Sequence, residues 1–265
     1  MRRRTLLAAV GAGASVGLAG CTLGGGGTVG KGEVVELDAG RVTLGALDVQ
    51  SSFVEDTVAP PAVHGDAGVG YVVLQCDCRE YEAPASDLPF AVELGEDRVA
   101  GAAGALVSGA GDGRPRIAFP VPAGDALDSR RSTASENASD SWAVVLTDVE
   151  GRERRYGFDD ALRRRLSTPP AWRVSVDPPD AMPDAGTERA WATAVNTGDV
   201  SGRLAALLAH DAAEDRYWRH EFGVDADGES TFGYRFACLC GDRDELALTL
   251  DWGRDSWTGT VPVES

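Results

Sequence analysis

The sequence predicts an all-β fold arranged as two β-sandwich domains in tandem. Short apolar stretches with a period of two recur along most of the chain, and clusters of Gly, Asp and Pro separate them. Such alternation is typical of strands with one buried face, and such clusters are typical of turns. No regular succession of strands and long helices is present, so a parallel α/β architecture is not expected. A chain of 265 residues is long enough for two domains of ordinary size.

The first predicted domain covers residues 33–168 and ends at the two prolines 169–170. One short helix is expected at residues 159–166, where Asp159 or Asp160 caps the amino end and the prolines stop the helix. The alternation predicts six strands in this domain. They cover residues 41–49, 69–78, 89–94, 116–121, 142–147 and 152–158.

Two stretches of this domain lack the alternation and are expected to be mobile loops. Residues 99–115 are rich in Gly and Ala, and residues 128–141 are rich in Ser and Asp. The second stretch contains Asn137-Ala138-Ser139, an acceptor sequence for N-glycosylation in an exported chain. Asn137 is therefore a glycosylation candidate on a surface loop.

The second predicted domain covers residues 171–263, and its strands alternate more regularly. The number and spacing of its seven strands are those expected of an immunoglobulin-like sandwich. The aromatic residues that alternate in these strands are expected to lie in the core. The strands fall at residues 172–176, 191–195, 204–208, 217–222, 232–236, 246–252 and 257–263.

The first 20 residues have the pattern of a cleaved export signal. Three arginines at positions 2–4 precede an uncharged run, residues 6–19, that consists of apolar and small residues. A stable membrane-spanning helix needs about 20 apolar residues, so this run is too short to span a bilayer. We therefore expect residues 1–20 to be removed as a signal peptide.

Two motifs in this segment indicate how the chain is exported and anchored. Arg3 and Arg4, followed by Thr5-Leu6-Leu7, resemble the twin-arginine export signal, and Leu18-Ala19-Gly20-Cys21 resembles the lipobox. The resemblance implies cleavage before Cys21 and lipid attachment to it, which would hold the protein on the outer face of the cytoplasmic membrane. Residues 21–32 would then form a lipidated, Gly-rich tether. The alternative is an uncleaved anchor with an ordinary thiol at Cys21.

The charge of the chain predicts a salty solvent. The net charge is −17, removing the three arginines of residues 1–20 makes it −20, and Lys31 is the only lysine. So acidic a surface repels itself in dilute buffer, and molar salt, with a Debye length of about 3 Å, removes most of that repulsion. The pattern resembles proteins of extreme halophiles. A nucleic-acid partner is not expected, because no basic patch is left to meet phosphates.

The second domain resembles a known family over residues 171–263. Ala194-Val195-Asn196-Thr197-Gly198-Asp199, followed by Asp227-Gly228-Glu229-Ser230-Thr231, is similar to the cell-adhesion-related immunoglobulin-like domain of bacterial and archaeal surface proteins. Through Val42-Thr43-Leu44 and residues 69–74, the first domain is weakly similar to an immunoglobulin-like domain of unknown function in exported lipoproteins. Neither family has a catalytic motif to transfer, so the resemblance implies binding or display at a cell surface.

The sequence offers no arrangement typical of a catalytic site. His64, His210 and His220 are scattered, and no Ser or Cys stands beside one at the spacing of a nucleophile and its base. Residues 225–229 resemble the start of a calcium loop but lack the glutamate of the twelfth position, so a solvated turn is expected there. We expect no enzyme activity, no cofactor and no metal site outside the cysteines.

Two Cys-x-Cys pairs are the best functional lead in the sequence. Cys76-Asp77-Cys78 and Cys238-Leu239-Cys240 lie at the ends of predicted strands. Residues two apart on a strand have Cα atoms about 6.6 Å apart, near the upper limit for a disulfide. We therefore expect bonds between the pairs, which would clamp the two domains together. The alternatives are buried free thiols, or a soft metal such as Cu(I) held by all four cysteines.

Two classes of function follow from the sequence. The first is a noncatalytic, lipid-anchored surface module for binding, adhesion or assembly, with a surface protein or a small ligand as its partner. The second is a thiol-redox or soft-metal protein that handles copper or zinc with the cysteine pairs. A transport-linked solute receptor is disfavoured, because the chain lacks the strands and helices of two α/β lobes.

Overall fold

The computed structural model describes residues 27–95, 97–101, 104–109, 114–127, 142–212 and 216–264. Strands dominate these residues and form two sandwiches, one on either side of prolines 169–170, so the expected all-β fold is confirmed. Within the described ranges, no helix has the length and apolar character needed to cross a bilayer. The export arginines Arg3 and Arg4, the lipidation candidate Cys21 and the glycosylation candidate Asn137 lie outside the described residues.

The first sandwich consists of two five-stranded sheets, and a separate hairpin, β4–β5, lies beside it. Its strands, numbered along the chain together with the hairpin, are β1 (Gly27–Thr28), β2 (Val34–Leu37), β3 (Gly40–Gln50), β4 (Phe53–Glu55), β5 (Ala62–His64), β6 (Val69–Tyr81), β7 (Phe90–Leu94), β8 (Asp97–Gly101), β9 (Leu106–Ser108), β10 (Arg116–Pro122), β11 (Ala143–Thr147) and β12 (Glu153–Gly157). One sheet has the order β1-β12-β11-β7-β8, and the other has the order β2-β3-β6-β10-β9. A short 3-10 turn, Ala85–Asp87, precedes β7.

The two sheets of the first sandwich share one core. Val72 and Leu74 of β6 belong to the same buried cluster as Val144 of β11 in the opposite sheet. The helix α1 (Asp160–Ser167) adds Leu162 and Leu166 to this cluster, so it closes one side of the core.

Helix α1 begins where the sequence predicts it. The carboxylate of Asp159 accepts a hydrogen bond of 2.8 Å from the backbone nitrogen of Leu162, which satisfies one of the free donors of the first turn. Asp159, one of the two expected residues, is therefore the N-cap.

The second sandwich contains all seven strands that the sequence predicts and one short additional strand. They are β13 (Trp172–Asp177), β14 (Met182–Pro183), β15 (Ala185–Asn196), β16 (Gly202–His210), β17 (Tyr217–Val224), β18 (Glu229–Leu239), β19 (Glu245–Asp251) and β20 (Ser256–Glu264). The sheet β13-β15-β18 packs on the sheet β14-β20-β19-β16-β17. This division of seven main strands into sheets of three and four follows the immunoglobulin-like order, with β14 added at one edge.

Strand β15 corrects one expectation about the core. Trp191 is 42% exposed, whereas Ala190, Ala192 and Ala194 are fully buried. Successive side chains of a strand point to opposite faces, and in β15 the small alanines occupy the inner face beside large aromatic residues such as Tyr234. The expected core position of Trp191 is therefore wrong, and its ring lies on the outer face of the three-stranded sheet.

The folded part begins earlier than expected and includes one stretch expected to be a loop. Strand β1 pairs in parallel with β12, and Val29 is buried and donates a backbone hydrogen bond of 3.0 Å to Arg155. The chain from Gly27 onward therefore belongs to the sandwich rather than to the expected tether of residues 21–32. Strands β8 and β9 likewise fall in or beside the expected loop 99–115, because each adds to the edge of a sheet.

The hairpin β4–β5 joins the two sandwiches. Val54 of β4 packs with Ala205 and Leu207 of β16 in a buried cluster of its own. The hydroxyl of Ser52 donates to the carbonyl of Ala205 and accepts from its backbone nitrogen, both at 2.8 Å, and the backbone nitrogen of Ser51 donates to the carbonyl of Arg203 at 3.0 Å. The hairpin thus comes from the first domain but is buried against the second.

Candidate functional site

Cys238 and Cys240 form a disulfide with each other, so the expected bonds between the two cysteine pairs are wrong. The reason is the local backbone: β18 ends at Leu239 and the chain turns directly after Cys240. The two Cα atoms are 5.1 Å apart, well within the range of a disulfide. In addition, Cys76 lies in the core of the first sandwich whereas Cys238 lies in that of the second. A covalent clamp between the domains is therefore not formed.

Cys76 and Cys78 of β6 remain free thiols with their Sγ atoms 3.2 Å apart. Cys76 is buried and Cys78 is half-buried. The hydrogen bond with Cys78, together with burial, raises the pKa of Cys76, and the same hydrogen bond lowers the pKa of Cys78. Cys78 is therefore both the more accessible and the more readily ionised thiol of the pair.

Thiol labelling of the unreduced protein is expected to distinguish the two pairs. An alkylating reagent should modify Cys78 first and Cys76 more slowly, and it should leave Cys238 and Cys240 unmodified until a reductant is added. The Cys78→Ser variant should retain only the slow reaction. Peptide mapping by mass spectrometry reads out each position. Label on Cys238 before reduction, or a peptide bridge between residues 76–78 and 238–240, would contradict this assignment.

Each of the three histidines has a packing or hydrogen-bonding partner. His210 is buried between Trp218 and Phe236, and burial lowers its pKa. The ring of His220 stacks on Phe232 with centroids 3.6 Å apart, and burial lowers its pKa too. His64 Nε2 lies 3.0 Å from the carboxylate of Glu55, and His210 Nε2 lies 3.2 Å from the carbonyl oxygen of Ala237.

Among the described residues, no group of three or more His, Cys, Asp or Glu side chains is arranged to hold a metal ion. The acidic stretch Asp225–Glu229 is a turn in which Asp227 has a φ of 53°. Cys76 and Cys78 place two soft ligands side by side.

Charged side chains add to the contact between the two sandwiches. Arg116 of β10 and Arg219 of β17 both pair with Glu221, Arg219 at 2.5 Å. Asp48 of β3 pairs with Arg203 of β16 at 3.0 Å. Burial and then the neighbouring Arg219 lower the pKa of Arg116 to about 10. Salt screens partly buried pairs less than exposed ones, so the pairs of Arg116 and Arg219 with Glu221, whose side chains are between 19% and 27% exposed, persist in a salty solvent.

A cleft of about 610 Å³ opens where the two sandwiches meet, and three tryptophans line it. Trp252 is buried, whereas Trp172 and Trp257 are half-buried. The indole nitrogen of Trp172 donates a hydrogen bond of 2.8 Å to the hydroxyl of Ser51 in the first domain, which fixes the position of that ring. The exposed polar side chains of the lining are Arg173, Arg254, Asp255 and Ser256.

Glycines make room for two of the tryptophan rings. A Cβ atom at Gly202 would lie 3.0 Å from Cζ2 of Trp172, and one at Gly259 would lie 2.6 Å from Cη2 of Trp257. Each ring therefore lies against a backbone that carries no side chain. The missing side chains leave room for these half-buried rings.

The backbones of the two domains approach each other closely beside the cleft. A Cβ atom at Gly253 would lie 2.6 Å from the backbone nitrogen of Gly65, and one at Gly65 would lie 2.7 Å from that of Arg254. Gly253 also has a φ of +87°, a conformation that favours glycine. Both positions therefore require glycine, and the contact fixes Trp252 and Arg254, the neighbours of Gly253, at the cleft.

The sequence does not predict the cleft. Its alternation places the three tryptophans in the core of the second sandwich instead. One local signal points to it: Trp252 and Trp257 flank the polar turn Gly253-Arg254-Asp255-Ser256. Two large aromatic residues on either side of a short polar turn lie close together at one end of a sandwich. The contribution of Ser51 from the other domain has no signal in the sequence.

No family model and no curated protein match this chain. Among solved structures, it is similar to a β-glucosidase from Listeria innocua, solved in complex with glucose, with 10% identity and a TM-score of 0.32 over 37% of this chain. This chain spans 16% of the length of that enzyme.

Two further solved structures are similar at the same low level. The CARDB domain of a Pyrococcus furiosus protein, solved in complex with di-metal ions, has 10% identity and a TM-score of 0.31, with 40% of this chain and 98% of that domain covered. Red sea bream transglutaminase has 15% identity and a TM-score of 0.30, with 84% of this chain and 31% of that enzyme covered. At these TM-scores the similarities define neither a family nor a function for this chain.

Proposed function

We propose that this protein is a noncatalytic surface protein that binds a saccharide in the cleft between its two sandwiches. The observation that carries the proposal is the lining of that cleft by three tryptophans, with residues from both domains. Ligand sites favour domain interfaces and combine an apolar lining with a few placed polar groups. The cleft has this composition.

A saccharide matches the lining better than a purely apolar ligand does. Sugar rings have apolar C–H faces and hydroxyl groups around their edges. Tryptophan rings provide large, rigid apolar surfaces for the faces, and Arg254, Asp255 and Ser256 provide donors and acceptors for the hydroxyls. The mixed charge of Arg254 and Asp255 suits a neutral sugar.

The contact between the domains supports binding by holding the cleft in one shape. The Ser52 hydrogen bonds to Ala205, the ion pairs of Glu221 and the close approach of Gly65 and Gly253 all surround the same seam. A preformed site loses less conformational entropy when a ligand binds. These contacts therefore hold the two domains together in place of the disulfides that the sequence predicted.

The proposed location of the protein rests on its amino-terminal motifs. Lipid on Cys21, after export through the twin-arginine signal Arg3-Arg4, would hold the chain on the outer face of the cytoplasmic membrane. The immunoglobulin-like strand order of the second sandwich suits a module for binding, adhesion or assembly at a surface.

Replacing Trp257 with alanine is expected to weaken binding of neutral saccharides by about tenfold or more, because the variant loses a large apolar contact. Binding of the full chain to an array of neutral oligosaccharides in molar potassium chloride measures this. The milder variant Asp255→Asn keeps the apolar lining and should weaken binding of the same saccharides. Trp191→Ala removes an exposed tryptophan that does not line the cleft and is the matched control.

The proposal fails if no neutral saccharide binds. It also fails if Trp257→Ala and Asp255→Asn, shown to be folded by circular dichroism, bind as the wild type does, or if Trp191→Ala loses the binding instead.

A second candidate function, thiol-redox or soft-metal handling, rests on the free pair Cys76 and Cys78, whose Sγ atoms are 3.2 Å apart. Thiolates are ligands that soft ions such as Cu(I) prefer. Metal analysis after incubation with Cu(I) or Zn²⁺ tests it. This candidate predicts one bound ion per chain that is lost in Cys78→Ser, and protein without stoichiometric metal contradicts the metal-binding form.

A further inference from the structure

Two arginines face each other on the outer surface of the three-stranded sheet. Arg189 of β15 is directly opposite Arg235 of β18, and both side chains are exposed. Like charges directly opposite each other destabilise a sheet. Most arginines of the described chain pair with a carboxylate, as Arg243 does with Asp211 at 2.8 Å. Neither Arg189 nor Arg235 makes an ion pair with a described carboxylate, although the net charge of the chain is −17.

The exposed ring of Trp191 lies beside this arginine pair. The guanidinium carbon of Arg189 is 5.0 Å from the centre of the ring. On the neighbouring strand Gly233 is directly opposite Trp191, and a Cβ atom there would lie 2.9 Å from Cζ3 of the ring. The ring therefore rests over a backbone position that has no side chain. Two cations and a tryptophan that is 42% exposed are thus present together on this surface, with the guanidinium of Arg189 over the ring.

A groove of about 570 Å³ runs past these three residues. Asp177, Asp180 and Glu188 also line it, together with Pro178, Pro179 and Thr187. A simple polyanion would be repelled by the carboxylates. A ligand with both an anionic group and hydroxyl groups satisfies the whole lining, because the arginines bind the anion and the carboxylates accept hydrogen bonds from the hydroxyls.

We propose that this face binds an acidic saccharide whose rings carry carboxylates, with Arg189 and Arg235 on the carboxylate and Trp191 against the ring. The guanidinium group matches a carboxylate with two parallel hydrogen bonds. An anion between the two arginines also removes their mutual repulsion. This site is separate from the cleft, and neither its ligand nor its residues depend on the function proposed for the cleft.

Calorimetric titration of the full chain with oligogalacturonate in about 1 M potassium chloride tests the proposal, since direct contacts act even where the Debye length is about 3 Å. The methyl ester of the same oligomer has the same rings without the charge and is the matched ligand control. We expect Arg189→Gln, Arg235→Gln and Trp191→Ala to weaken binding of the acid by about tenfold or more. Arg243→Gln removes an exposed arginine that is already paired, and it should bind as the wild type does.

Thermal unfolding without ligand distinguishes a role of Arg235 in ligand binding from a role in stabilising the fold. In about 1 M potassium chloride, where the change in net charge is screened, Arg235→Gln should not lower the melting midpoint, because Arg235 makes no ion pair with a described carboxylate. A structural role for the arginine would lower the midpoint instead.

The proposal is overturned if the acid does not bind, if it binds no better than its methyl ester, or if the arginine variants bind as the wild type does. Equal binding of oligoglutamate also overturns it, because the face would then accept an acidic protein. Trp257→Ala should leave this titration unchanged, so failure here is distinguishable from failure of neutral saccharide binding at the cleft.

Discussion

The midpoint of thermal unfolding is expected to rise by about 10 °C or more between about 0.1 M and 3 M potassium chloride. The cause is the net charge of −17 on a chain with 42 acidic residues. Their mutual repulsion disfavours the compact state, and salt shortens its range from about 10 Å to about 3 Å or less. Screening therefore stabilises the folded state over the whole surface.

The ion pairs of the protein oppose this trend but are too weak to reverse it. Exposed pairs such as Arg243–Asp211 each contribute only about 0–1 kcal/mol. Pairs at the seam such as Arg203–Asp48 are partly buried on one side, so salt weakens them less. The net effect of salt should consequently be stabilising.

Circular dichroism melts over the salt series measure this effect, with sucrose as an uncharged additive that also favours compact states. Sucrose should not reproduce the rise at matched osmolality. A midpoint that is unchanged or falls in 3 M salt would show that the acidic surface imposes no net repulsion.

Gly253→Ala is expected to destabilise the protein far more than Gly32→Ala, although both glycines have a φ of +87°. The left-handed conformation costs a non-glycine residue about 1–2 kcal/mol at either position. At Gly32 the new Cβ atom has open space, whereas at Gly253 it meets the backbone of His64 and Gly65 at 2.6–2.8 Å. Overpacking of this kind adds about 1–3 kcal/mol.

Urea unfolding in molar salt measures both variants, and saccharide binding at the cleft provides a second readout. Gly253→Ala should also weaken that binding, because Trp252 and Arg254 move with Gly253, and Gly32→Ala should not. If the two variants lose equal stability and bind equally well, the close approach of Gly65 and Gly253 does not hold the cleft together.

The alternation of apolar residues predicts most strands of this protein, because each sandwich buries one face of every strand. The alternation does not predict the buried face where either of the two alternating sets of side chains in a strand could be buried. In β15 the alternating Trp191, Thr193 and Val195 look like an inner face, but the alanines between them are the buried set. The choice depends on the space that the opposite sheet leaves, which a single strand does not encode.

The cysteines show a second limit of the sequence. A bond within Cys-x-Cys is strained only if the chain stays extended, and β18 ends between Cys238 and Cys240. A difference of one residue in where the strand ends thus decides which cysteines form the disulfide.

The cleft depends on contacts that are distant along the chain. Ser52 and Ala205, which join the domains, are 153 residues apart in sequence. No local pattern predicts such a contact. The tryptophans of the cleft could be found individually in the sequence, but their assembly into one site could not.

Hydroxyl-radical footprinting locates the bound saccharide directly. The full chain is labelled with and without the neutral oligosaccharide that binds most tightly, and mass spectrometry compares oxidation at each tryptophan. Binding in the cleft predicts protection of Trp172 and Trp257 and unchanged oxidation of Trp191. Protection of Trp191 alone, or equal oxidation of Trp172 and Trp257 with and without saccharide, would contradict it.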